Sequence, residues 1–224
     1  MDTRQNSMTV ELTRQVAQDI VAGDLEPGSR LKITGLGAKY GTSAIPLREA
    51  LARLANQGLV VFEDKKGFSV APVSRADLID LTEIRIAVEC LTLTRSIERG
   101  DVEWETHVLS AAHRLARLPT YADEAKRHLS TEWEAAHTRF HHCLVSACES
   151  SRLLGLRDLY DDQSRRYRYL MGLLAREPRI VDGEHQDLVD AVLGRDVAKA
   201  CELVSEHFQK TTDMILSSKV GTLL

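Results

Sequence analysis

Several things are scarce in this chain, and each scarcity excludes something. Cysteine occurs four times, at Cys90, Cys143, Cys148 and Cys201, and never as a C-x-x-C pair. That argues against a disulfide framework or a paired-thiolate zinc site. Each cysteine lies in an apolar helical pattern, so buried free thiols are expected. Proline occurs only five times in 224 residues, which leaves room for long helices. No run of about 18 apolar residues exists, which excludes a membrane-spanning helix. The opening MDTRQNSMTVELTRQ lacks the apolar segment of a secretory signal. A cytoplasmic protein is the expectation. Internal repeats and low-complexity segments are absent too.

What is present suffices for a core. Hydrophobic residues make up 43% of the chain and charged residues 28%, the balance of a folding globular protein. The net charge of −4 is uneven. Residues 1–75 hold 10 basic and 8 acidic side chains, and the remainder holds 19 and 25. A mildly basic head on an acidic body permits a polyanion-binding domain at the front.

Apolar spacing divides the chain near residue 74. In TVELTRQVAQDIVA, Leu12, Val16 and Ile20 form one helical stripe, and Gly23 stops it. Pro27-Gly28 marks a turn, and Leu36 to Tyr40 reads as a short helix ended by Gly41. The segment TSAIPLREALARLANQG follows. Ser43 is placed to cap the helix, with Pro46 at its third position. Leu47, Ala50, Leu51 and Leu54 form its inward stripe, and Arg48 and Arg53 point away from it. The runs LVVFED and GFSVAP then flank Asp64-Lys65-Lys66-Gly67, which predicts a hairpin with a basic tip. Three helices and a small hairpin make a winged helix-turn-helix, whose second helix of the pair enters the major groove of DNA. The alternatives are local: Arg48 paired with Glu49, and Lys65 and Lys66 as solvated turn residues.

Beyond Pro72 the chain reads as helix almost throughout. Six helices are predicted, over 75–99, 102–118, 122–149, 151–175, 180–193 and 196–217, with Pro119 and Pro178 at apparent helix ends. Short connections predict an antiparallel bundle. The expected fold is therefore mostly α, with a winged helix-turn-helix over residues 1–74 and a six-helix bundle over 75–224.

Within that bundle HTRFHHCL places His137 and His141 on one face with Phe140, Leu144, Val145 and Cys148. His185 sits on the stripe of Leu188, Val189 and Val192, and His207 on the stripe of Ala200, Leu203 and Val204. Four imidazoles thus face inward from three helices. Each needs a partner in an apolar core. Either each bonds a separate carbonyl, or all four share a cation that accepts nitrogen ligands. His107, His113, His128 and His142 fit surface positions. Arg85 directs its stem inward and is either a carboxylate receptor or the i+4 partner of Glu89. Tyr160, Gln163 and Tyr167 share a stripe with Leu156 and Leu170, and either line a pocket or pack the bundle.

Two sets of motifs resemble known families. G-x-L-x-P-G-x-x-L, Y-G-T-S-x-x-P-L-R-E-A-L-x-R-L-x-x-x-G-L-V and K-G-F-x-V, spanning about residues 9–73, resemble the DNA-binding domain of GntR-type bacterial transcription regulators. The resemblance implies that Arg48 contacts DNA, that Ser43 bonds a phosphate or base edge, and that Gly67 lets the wing approach a groove. Arg53, Lys65 and Lys66 join the expected DNA-binding set. Members often carry arginine where this chain has Thr34 and Ala44. Each missing arginine removes a potential contact to guanine worth about 1–3 kcal/mol of discrimination.

F-H-x-x-L, then E-H-x-x-L-x-x-A-V-x-x-x-D, then E-H-F, is similar to the FCD effector domain of the FadR-type branch; six helices rather than seven point to its VanR-like subgroup. In that domain an Asp and three histidines hold a divalent metal. The resemblance puts His141, His185 and His207 at the histidine positions and His137 at the Asp position. An all-imidazole set favours Zn or Ni over Mn or Mg. The resulting expectation is a homodimeric repressor, released from a pseudo-palindromic operator by a small carboxylate bound near the metal, with Arg85, Gln163 and Tyr160 at the effector. A direct metal sensor and a helix-bundle metalloenzyme are the alternatives; no H-E-x-x-H or paired Glu-x-x-His pattern supports the enzyme.

Overall fold

The structure, a computed structural model, describes residues 3–122, 130–174 and 182–218. The expectations for His128 and for the Glu177-Pro178 break lie outside those residues. Two compact units form: residues 1–74 with 165–169, and residues 75–164 with 170–224.

The first unit contains α1 (Thr3–Val21), α2 (Ile33–Tyr40), α3 (Ala44–Asn56), β1 (Val60–Glu63) and β2 (Gly67–Val70). Leu12, Val16 and Ile20 of α1 are buried with Leu36 of α2 and with Leu47, Leu51 and Leu54 of α3. The i, i+4 spacing on α1 and α3 puts these side chains on facing stripes. Gly41 ends α2 in the left-handed region, at φ 62°. Its missing Cβ makes that conformation inexpensive. Ser43 occupies the residue before α3 with extended backbone, but its hydroxyl makes no capping bond. Pro46 sits at the third helical position and is buried. The strands pair antiparallel, with Val60 opposite Val70 and Glu63 opposite Gly67. Lys65 (φ 64°) and Gly67 (φ 83°) turn the chain at the tip.

The second unit contains α4 (Arg75–Arg99), α5 (Val102–Ala116), α6 (Thr131–Val145), a 3-10 turn (Ser146–Cys148), α7 (Ser151–Leu174), α8 (Asp182–Leu193) and α9 (Val197–Ser217), with residues 165–169 of α7 grouped with the first unit. Helix α6 begins at Thr131 and not at 122, because Ser130 caps it by accepting from Trp133 N at 3.3 Å. Asp101 caps α5 through Trp104 N at 2.8 Å, and Asp196 caps α9 through Lys199 N at 2.9 Å. Helices α4 and α9 run antiparallel, as Thr82 bonds Thr212 and Cys90 touches Ser205. The Trp104 indole donates to Cys143 O at 2.9 Å and ties the start of α5 to the end of α6. Leu93, Ile97, Val108, Phe140, Leu144, Leu188, Val192 and Val204 fill the core. Among the described residues no helix is long and apolar enough to cross a membrane.

Two local expectations change. Of the cysteines only Cys143 and Cys148 are buried; Cys90 and Cys201 are half-buried. Leu156, placed on the inward stripe of α7, is 43% exposed. The inward positions there are the charged Arg157 and Asp161, because α4 supplies buried partners for both.

Candidate functional site

Over residues 8–74 every lysine and arginine is exposed. Ser43, Arg48 and Arg53 of the α3 segment and Lys65 and Lys66 of the turn are exposed, and Gly67 is half-buried. Because Leu47, Ala50, Leu51 and Leu54 occupy the inner face of α3, Arg48 and Arg53 are left on the outer one. Glu49, the neighbour proposed to hold Arg48, accepts instead from Thr9 at 3.3 Å. Lys66 Nζ lies 2.6 Å from Glu63 at the end of β1, an exposed pair three residues apart that water weakens. A cleft of about 220 Å³ is lined by Arg30, Lys32, Arg48, Lys66, Gly67 and Phe68, among others.

Sequence reasoning missed Arg30 and Lys32. They flank the buried Leu31 in an extended segment, so alternation throws both to the side opposite Leu31. That period-two pattern was the available signal. It also missed Ile45, which is 65% exposed in the first turn of α3. An apolar side chain left in water at that position stands out from the polar surface around it.

In the second unit the polar groups are buried. His137 and His141 come from α6, His185 from α8 and His207 from α9. All four are buried, and one ligand atom from each lies within 4.8 Å of the others. Nε2 of His137 and Nε2 of His141 are 3.2 Å apart. Ring centroids of the six pairs are 4.6 to 5.9 Å apart. Trp133 stacks on His137 at 4.7 Å and fixes that ring from outside. His107, His113 and His142 are exposed.

Burial pushes His141 well below the usual histidine range, and the neighbouring histidines and Arg157 add to the effect. His141 is therefore neutral, with a lone pair to give. Its Nδ1 is buried without a hydrogen-bond partner. His207 Nδ1 lies 2.8 Å from Glu184 Oε2. A carboxylate on that nitrogen leaves Nε2 as the donor to a cation.

Beside the cluster sits a buried set of charges. Arg85 Nη2 is 2.6 Å from Asp161, and Nη1 donates to Ser164 at 2.9 Å. Its guanidinium stacks over Phe208 at 3.8 Å, and Phe208 in turn packs against His207 and His141. Glu89, the expected partner of Arg85, is held by Arg157 Nε at 3.1 Å. Burial works against the Arg157 charge, but the carboxylates of Glu89 and Asp161 outweigh it and raise its pKa. Arg157 was not foreseen. Its local signal is spacing alone: it stands four and three residues after Leu153 and Leu154 on the same helix face. Tyr160 and Gln163 are half-buried on α7. A separate cavity of about 670 Å³, lined by His107, Arg114, Glu132 and Arg139 among others, includes none of the four clustered histidines.

A winged helix with a basic face, joined to a helical unit with a buried polar site, defines the class of ligand-responsive transcription regulators. Residues 9–70 match the model of the bacterial regulatory proteins of the gntR family, and residues 80–210 match the FCD domain. The chain is 38% identical over 207 residues to BphR, an uncharacterized HTH-type transcriptional regulator of Paraburkholderia xenovorans (strain LB400), covering 92% of this chain and 84% of BphR. It is 34% identical to the HTH-type transcriptional repressor GlaR of Escherichia coli (strain K12), covering 93% of this chain and 96% of GlaR. The fold is that of E. coli McbR/YncC, at TM-score 0.75 and 18% identity, covering 92% of this chain and 96% of that one. A putative GntR regulator from Rhodococcus sp. RHA1 gives TM-score 0.73 at 24% identity, with 94% and 98% covered. This chain belongs to the gntR family of bacterial regulatory proteins and carries a C-terminal FCD domain; its domains and relatives are those of transcriptional regulators, not of enzymes.

Proposed function

We propose that this regulator is a cytoplasmic homodimer that represses transcription from a pseudo-palindromic operator, and that a small carboxylate bound beside a divalent metal releases it. The repressor sign is supported by the similarity to GlaR, a transcriptional repressor by name. Helix α3 enters the major groove, where Arg48 and Arg53 reach bases or phosphates and the uncapped Ser43 hydroxyl bonds a phosphate. Lys65, Lys66 and Gly67 bring the wing to the backbone, and Arg30 and Lys32 extend the same basic surface. With Ala44 and Ile45 in the first turn of α3, the operator is read there by apolar contact, as with a thymine methyl, and not by arginine on guanine.

The metal reading is carried by one observation: four buried imidazoles with ligand atoms within 4.8 Å of one another. Nitrogens bound to one cation at about 2.1 Å lie at most about 4.2 Å apart, so small ring movements complete the set. Nitrogen donors without a carboxylate favour Zn or Ni. A bound cation supplies positive charge and Lewis acidity to an incoming carboxylate. Arg85 already holds Asp161, so the effector takes the place of Asp161 on that guanidinium and loosens α7 from α4. Tyr160 and Gln163, near Asp161 in sequence and half-buried, border the acid. Release requires the effector to bind one arrangement better than the other, by about 5.5 kcal/mol for a shift from 99:1 to 1:99.

A second reading, direct metal sensing, is favoured by the ligand count. Four protein ligands close a tetrahedral cation and leave no position for an acid. Gel-shift titration separates the two. Metal-stripped protein on operator DNA receives Zn or Ni alone, then metal with a panel of short carboxylic acids. Release that needs both metal and acid supports the effector reading; release by metal alone supports sensing. Unchanged metal content in His141→Ala removes the metal from both.

A further inference from the structure

The seam between α4 and α9 carries a second reactive group, remote in chemistry from the histidines. Cys90 Sγ lies 3.7 Å from Cys201 O, and Cys201 Sγ lies 3.8 Å from Cys90 O. The contacts are reciprocal, so the two side chains reach toward each other across the seam between antiparallel helices. Hydroxyls flank both: Ser205 Oγ is 3.6 Å from Cys90 Sγ, and Thr94 Oγ1 is 3.7 Å from Cys201 Sγ. Cys90 with Thr94, and Cys201 with Ser205, are i, i+4 pairs. Small residues on both faces let the backbones approach closely enough for a bond that needs Cα atoms within about 7 Å.

Exposure sets this pair apart. Cys143 and Cys148 are buried, whereas Cys90 and Cys201 are half-buried and within reach of a small solute. A structural thiol is inert because nothing reaches it; these two are reachable and already adjacent.

We propose that Cys90 and Cys201 are an oxidisable dithiol, converted by a peroxide to an intramolecular disulfide that ties α4 to α9. The neighbouring Cys90 thiol is the leading influence on Cys201 and brings it down to about 6 against the cost of burial, with Thr94 assisting. The same contact and burial raise Cys90. Cys201 is thus the thiolate nucleophile and Cys90 the resolving thiol. The Cys201 thiolate attacks one oxygen of hydrogen peroxide. The O–O bond breaks, the leaving hydroxide takes a proton to become water, and Cys201 becomes a sulfenic acid. The Cys90 sulfur then attacks the Cys201 sulfur. The S–S bond forms, the S–O bond breaks, and the departing hydroxide leaves as water with the Cys90 proton. Two thiols lose two electrons and two protons, and one peroxide becomes two waters. Two equivalents of a small thiol reverse the change by exchange.

Both tied helices also carry the buried polar site. Cys201 precedes His207 by six residues on α9, and Cys90 follows Glu89, the partner of Arg157, on α4. The disulfide therefore fixes two helices whose relative placement sets that site.

The test oxidises the full-length native protein with hydrogen peroxide, removes the peroxide, unfolds the protein in urea so that buried thiols are reached, blocks remaining thiols by alkylation, and maps peptides without reductant. The expected result is two alkylated cysteines, Cys143 and Cys148, and one linked peptide pair joining Cys90 to Cys201, lighter by two hydrogen atoms and restored by dithiothreitol. C90S should abolish the cross-link while Cys201 still takes the label in the reduced protein. Circular dichroism of C90S and C201S checks that each variant folds; if neither does, alkylation rates of the wild-type thiols decide, with Cys201 expected to label first. Four alkylated thiols after oxidation, a cross-link between two chains only, or a bond to Cys143 or Cys148 would overturn the proposal.

Discussion

The two units solve the placement of charge in opposite ways. In the first, an apolar core is sealed by Leu47, Leu51 and Leu54, and every cation offered to DNA stands in water. In the second, Arg85, Glu89, Arg157, Asp161 and four histidines are buried among apolar side chains. A polyanion rewards exposed cations, because phosphate contacts release counterions and need reach more than fixed geometry. A small ligand or a cation rewards buried, oriented groups, because low dielectric strengthens each contact and rejects water. The same side-chain types are therefore cheap to remove in one unit and costly in the other.

The sharpest way to break that contrast is Arg157→Ala. It strands the buried Glu89 carboxylate and should cost about 3–5 kcal/mol in urea unfolding. Replacing both partners, Glu89→Leu with Arg157→Met, should recover most of that loss; a double variant as unstable as the single one would mean the pair is not what matters. In the first unit, Arg48→Ala should leave stability within about 0.5 kcal/mol. Operator binding should weaken by about 1–3 kcal/mol in a gel shift, and an equal loss on random DNA would make Arg48 a phosphate contact only. If the proposed metal site is right, Glu184→Gln, which removes the carboxylate from His207, should weaken zinc binding by roughly 10–100-fold in a chelator competition, with folding retained. The smallest effect belongs to Lys66→Ala, whose charge is already shared with Glu63. The slope of log binding against log salt should flatten by about 1, with no change in sequence preference.

Much of this was legible from spacing. The stripe Leu47, Ala50, Leu51, Leu54 placed Arg48 and Arg53 outside, and α4 runs over residues 75–99 as its pattern indicates. Each of the four histidines was assigned to an inward stripe, and each is buried. The start of α6 was not legible, since a cap at Ser130 and the pattern upstream of it compete for the same boundary. Ser43 was placed correctly but bonds nothing as a cap, because position does not fix a hydroxyl rotor.

Periodicity reports which side of a helix a residue faces, and it did so here for the core, the basic surface and the histidine stripes. It carries no information about who stands opposite. Arg85 and Glu89 are four apart and look like partners, yet Arg85 binds Asp161, 76 positions away, and Glu89 binds Arg157, 68 away. Whether Cys90 meets Cys201, and whether four imidazoles meet at one point, was equally a matter of helix register and packing. Local rules fix a side chain's direction; only the folded chain, by choosing among distant neighbours for each buried charge, fixes its partner.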